Sequence, residues 1–157
     1  MKAPNDQVIQ DLQTSAQLMA HLAGQFQVDV RLLHAMGLGW LQKRFKKFYK
    51  LSEDQLREFI DRILYYGEDP EYDAGKSSGA ASVSEILQRA RDLVYAAHEE
   101  FSGFRKAALE ASGDYTTDVF EHAIGDLECM AYKLERELAL IKTLGEPGYI
   151  GARLEDE

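Results

Sequence analysis

The chain has 157 residues, enough for one domain with a sizeable core, and its 45% hydrophobic and 29% charged content is ordinary for a globular protein. A net charge of -9 argues against nucleic acid or an anionic membrane surface as the main partner, and the single cysteine, Cys129, excludes an internal disulfide. Met1 to Leu12 lacks the basic start and apolar run of a signal peptide, and no stretch approaches the ~18 apolar residues of a membrane span, so a cytoplasmic location is expected.

The first predicted helix covers residues 5–36. Leu12, Ala16, Met19, Ala23, Phe26, Val30 and Leu33 recur at alternating steps of four and three, which places them on one helix face. Asn5 or Asp6 can cap its start and Gly37 can end it. The second helix is expected over 38–66, with Leu41, Phe45, Phe48, Ser52, Gln55 and Phe59 as its stripe and Leu56, Ile60 and Ile63 widening it. Ser52 and Gln55 are polar interruptions of an otherwise apolar row. Residues 67–82 read GEDPEYDAGKSSGAAS, a connection with almost no large aliphatic side chain. It is long for a helix-to-helix turn and suggests a crossover along the bundle.

The third helix is expected over 83–112. Ser82 to Glu85 form a capping-box pattern, and Leu87, Ala90, Val94, Ala97, Phe101, Phe104 and Ala108 make its stripe. The fourth, over 115–144, buries Phe120, Ala123, Leu127, Met130, Leu134, Leu138 and Ile141, and Gly145 with Pro147 closes it. A short C-terminal helix or tail follows, acidic at Leu154 to Glu157. The expected architecture is all-α: one domain over 1–157, an antiparallel four-helix bundle with one long crossover. No internal repeat, glycine-rich phosphate loop or catalytic-triad signature is present.

Several stretches in this order resemble bacterioferritin. They are Met1-Lys2 with Val8-Ile9 and Leu12, then Arg62-Ile63-Leu64, then Pro70 with Gly75-Lys76. Asp114-Tyr115 with Asp118, and Leu134-Glu135, Glu137-Leu138 and Leu140-Ile141 with Gly145, complete the set. The resemblance spans nearly the whole chain and implies the ferritin-like fold. It also implies a hollow many-subunit shell whose subunits oxidise ferrous iron at a pair of metal ions inside the bundle. The family's ligands are one glutamate on each of the first and third helices and a Glu-x-x-His pair on each of the second and fourth. Carboxylates can bridge two irons and imidazole completes each coordination sphere.

Matched residue by residue, the first-helix glutamate falls at Met19, the second-helix pair at Ser52 and Gln55, the third-helix glutamate at Val94, and the fourth-helix pair at Leu127 and Met130. None of the six keeps a family ligand. The family's haem methionine falls at Glu53, which offers no thioether. No shift of register changes this, because no Glu-x-x-His occurs anywhere. His21, His34, His98 and His122 follow Leu18, Arg31, Tyr95 and Val119 at that spacing. The expectation is a metal site converted into core, with no di-iron centre, no haem and no ferroxidase activity. Expected partners are further copies of the chain or a catalytic bacterioferritin subunit. A repurposed bundle that binds a protein or small molecule is the alternative.

A relocated metal site is a third reading. His98 lies one turn beyond Val94 and precedes Glu99 and Glu100, and Asp118, His122 and Asp126 share a helix face. A solvated polar face accounts for the same residues. His21 and His34 read as surface or interface residues, Cys129 as a small buried or half-buried hydrophobe, and Trp40 as packing. The run Lys43, Arg44, Lys46, Lys47 and Lys50 reads as a solvated helix face whose interleaved Phe45 and Phe48 point to the core, rather than as a nucleic-acid surface.

Overall fold

A computed structural model describes residues 5–111 and 113–155. Met1 and Lys2 of the first resembling stretch, Ser112 at the expected end of the third helix, and Asp156 and Glu157 of the acidic tail lie outside the described residues. Four helices follow in order: α1 Asp6–Ala35, α2 Gly39–Tyr65, α3 Val83–Glu110 and α4 Asp114–Glu155. No helix among the described residues is long and apolar enough to cross a membrane.

Local sequence sets the helix ends. The Asn5 side chain accepts from the Val8 amide at 2.9 Å and caps α1. Gly37, at φ 74°, ends that helix. Its amide and that of Leu38 turn back to the His34 and Leu33 carbonyls, both at 3.0 Å. Ser82 accepts from the Glu85 amide at 3.2 Å. The reciprocal bond of the capping box is displaced by one residue, since the Glu85 carboxylate takes the Ala81 amide at 3.0 Å.

α1 packs chiefly on α2 and α3 on α4, and the two hairpins meet through α1 with α3 and α2 with α4. Every stripe residue of α1 and α2 is buried. So are those of α3 and α4, apart from Phe104, Leu138 and Ile141, which are half-buried. Two aromatic clusters fill the bundle. In one, the rings of Phe26, Phe45 and Phe48 lie 5.3–5.9 Å apart. In the other, Phe59, Phe101 and Phe120 lie 5.4–6.3 Å apart, with Phe104 at the edge. Burial of each such ring contributes about 2–3 kcal/mol.

The crossover follows α1. Gln13 clasps it with both ends of its amide, donating to the Asp69 carbonyl at 2.8 Å and accepting from the Glu71 amide at 2.7 Å. Gln25 does the same at Ser78, at 2.8 Å each way. Between them, His21 Nδ1 lies 3.0 Å from the Ala74 carbonyl. His21 is therefore half-buried beneath the chain's own crossover.

The expected close of α4 at Gly145 needs correction. Gly145 leaves the helical region (φ 72°, ψ 161°), yet helix resumes at once and runs to Glu155. Pro147 sits in the first turn of this second segment, where its missing N–H costs no helical bond. Glu146 accepts from the Ser84 amide at 3.0 Å and ties the break to the start of α3.

Candidate functional site

The six positions matched to family ligands all lie in the interior. Met19, Ser52, Val94, Leu127 and Met130 are 0% exposed and Gln55 is 1% exposed. The four apolar ones belong to the continuous hydrophobic core. On α2, Ser52 and Gln55 fall between Phe48 and Phe59, and so between the two aromatic clusters in the order of the stripe.

The two polar side chains turn away from one another in their bonding. Ser52 Oγ donates to the Phe48 carbonyl at 2.9 Å, one turn back on its own helix. Gln55 Nε2 donates to Asp126 Oδ2 on α4 at 2.6 Å. Gln55 Oε1 is buried and has no hydrogen-bond partner among the described residues. Hence the arrangement presents two thioethers, one hydroxyl and one amide, with no carboxylate or imidazole at the six positions. Glu53, at the matched haem position, accepts from Tyr49 Oη and pairs with Arg57 at 2.7 Å.

The alternative ligand residues do not gather. His98 Nε2 lies 3.0 Å from Glu128, and Glu99 and Glu100 are exposed. His122 Nδ1 lies 3.2 Å from both oxygens of Glu58 on α2, a partner that spacing along α4 does not reveal. Its other nitrogen is 3.9 Å from Asp126, whose contact with Gln55 is much closer. Asp118 lines the same 490 Å³ surface cavity as Glu58 and His122. Among the described residues no three His, Cys, Asp or Glu side chains form a group suited to a metal ion. His34 is exposed.

Cys129 is exposed, contrary to the buried or half-buried position expected. It lies between Leu127 and Met130 in sequence, but one residue off the stripe, and the helix turns it outward. Trp40 does pack, in a polar setting. The Arg153 guanidinium lies 3.8 Å from its ring and that of Arg44 4.8 Å. In the basic run of α2, Phe45 and Phe48 are buried while Lys43, Lys46, Lys47 and Lys50 are exposed.

Two buried ionic groups were not foreseen. Asp29, 0% exposed, accepts through Oδ1 from Arg89 at 2.5 Å and from Gln25 at 3.1 Å, while Arg89 also donates to the Gly79 carbonyl at 2.7 Å. Burial pushes the Asp29 carboxyl above its ordinary value of 3.8, against the pull of Arg89. Glu137 accepts from Tyr149 Oη at 2.6 Å and takes Arg153 in a two-pronged ion pair, at 2.9 and 2.5 Å. Burial, then the neighbouring carboxylate, pushes the Tyr149 phenol up. The i, i+4 spacing of Gln25 and Asp29 beside the α1 stripe was a legible hint. Nothing local ties Glu137 to residues beyond Gly145.

Comparison with known proteins gives this geometry a place. A structure of Rhodobacter capsulatus bacterioferritin, with a metal-free dinuclear site and haem iron in a crystallographic special position, superposes with a TM-score of 0.90. The alignment covers 98% of this chain and 96% of that one at 22% identity, a likeness of fold. No curated protein matches the chain. The model of the ferritin-like domain matches residues 6–144, which takes in the four stripes, the crossover and all six interior positions; the chain belongs to the ferritin-like domain family.

Proposed function

We propose that this protein is a non-catalytic, bacterioferritin-like subunit, a structural or regulatory component of an iron-storage shell. One observation carries the reading: the six side chains matched to the di-iron ligands are Met19, Ser52, Gln55, Val94, Leu127 and Met130, all interior and none a carboxylate or imidazole. These donors do not fit a pair of irons, which need hard bridging oxygens. Glu53 likewise does not fit the haem position. The change is physically coherent, because carboxylates left in a bundle without metal would carry a large desolvation cost. Methionine fills the space a metal and its ligands would occupy.

The subunit role rests on faces that self-association or co-assembly with a ligand-complete subunit would use. The test is the native mass and subunit composition of the protein isolated from its own cells. A large shell containing a second, ligand-complete subunit is the expected result. A dimer, or a shell of this chain alone that takes up no iron beside a competent subunit, would favour the repurposed bundle. Anaerobic ferrous titration of the pure protein should reveal no tight pair of irons per chain. Stoichiometric metal binding abolished by His122→Ala or His98→Ala would favour a relocated site instead.

A further inference from the structure

We propose that the seam between the first half of α2 and the middle of α4 is a binding groove for a small phosphate monoester with an apolar body. Two adjoining cavities form it, of about 100 and 340 Å³, and Lys133 lines both. Six cations border them: Arg44, Lys47, Lys50, Lys133, Arg136 and Arg153. Only two carboxylates do, Asp54 and Glu137, and each is already engaged. Asp54 pairs with Arg57 at 3.2 Å, and Glu137 is held by Arg153 and Tyr149.

Among the described residues, Arg44, Lys47, Lys50, Lys133 and Arg136 form no ion pair. A chain of net charge -9 thus gathers uncompensated positive charge along one seam. Such a concentration attracts a multiply charged anion more than a singly charged one. Guanidinium and ammonium groups together are the usual donors to phosphate oxygens.

The wider cavity adds a second requirement. Phe48, Leu51, Cys129 and Met130 supply it with apolar surface beside the lysines. An apolar body lying there gains burial that inorganic phosphate cannot. Size sets the limit in the other direction. The cavities are small, and beyond the seam the chain is strongly acidic, so a long polyanion meets repulsion wherever it leaves the groove.

The chain carries its own reporter, since its one tryptophan, Trp40, lines the narrower cavity between Arg44 and Arg153. n-Hexyl phosphate is titrated into the full chain at low ionic strength and Trp40 fluorescence is followed, with calorimetry to register binding the ring does not report. Saturable binding with a Kd below ~1 mM is expected. Lys133→Gln should weaken it roughly tenfold, the loss of one charge-assisted hydrogen bond. Lys142→Gln, an exposed residue that lines neither cavity, should leave it unchanged. Circular dichroism of both variants shows that each remains folded.

The proposal is overturned if no saturable binding is seen, or if Lys133→Gln binds as well as the parent. Equal affinity for inorganic phosphate would remove the apolar half of the assignment, and equal affinity for hexanoate the phosphate half. Tighter binding of an oligonucleotide would make the seam a nucleic-acid surface instead.

Discussion

Asp29 is an ionisable group with no exposed surface, bonded through one oxygen only, while its second oxygen and Arg89 Nε lack partners. Breaking such a pair strands the other charge, so Asp29→Ala should cost about 3 kcal/mol in denaturant unfolding. Replacing both Asp29 and Arg89 with leucine should cost less than the two single changes together. The pH dependence follows from the raised carboxyl. The folded state holds the Asp29 proton more tightly than the unfolded chain, so this contribution is full below 3.8 and is lost as pH rises through the elevated value. Relative to Asp29→Asn, the parent should therefore lose stability across that window; a gain would contradict the burial argument. Cys129 offers a simpler check at the same scale. Being exposed, it should react with a thiol reagent in the native protein as completely as in denaturant.

The helices divide into parts that periodicity describes and parts it does not. The stripes of α1 to α4 were readable because one buried face per helix leaves a repeating mark in the sequence, and the caps at Asn5 and Ser82 because only a few side chains reach a helix's first amides. The segment beyond Gly145 was misread as a stop because glycine followed by proline usually ends a helix. Here the break changes direction, and Tyr149, 0% exposed, and Arg153 anchor the next turns through Glu137. Gly145 is needed for its backbone alone, since a Cβ added there would meet nothing within 4 Å while φ stays at +72°. Gly145→Ala should therefore cost about 1 kcal/mol, measured by chemical denaturation, with the native fold retained. A neutral or stabilising effect would mean that the bend is not fixed by this residue.

At the scale of the whole molecule, stability rests on an apolar interior running without interruption through Met19, Val94, Leu127 and Met130. Metal is expected to contribute nothing to it. The melting temperature should be the same with a strong chelator, with added ferrous iron under anaerobic conditions, or with neither; a rise of several degrees with iron would point to a site the donors do not suggest. The six interior positions could be identified beforehand because they lie on the stripes themselves. The pairing of Gln55 with Asp126 and of His122 with Glu58 could not, because each joins residues more than sixty apart in the chain across the α2–α4 seam. Cys129 was misplaced because one residue's offset on a helix decides between core and solvent.

The tether of the crossover has a consequence for how this chain can vary. Gln13, His21, Gln25 and Arg89 all reach main-chain atoms of the segment, at Asp69, Glu71, Ala74, Ser78 and Gly79. Recognition is thus of the path and not of the letters along it. Residues 71–79 are exposed, so their side chains carry little of the fastening. The stretch can drift freely over evolutionary time at constant length, and it is the natural place to graft a foreign peptide for display on the bundle's flank.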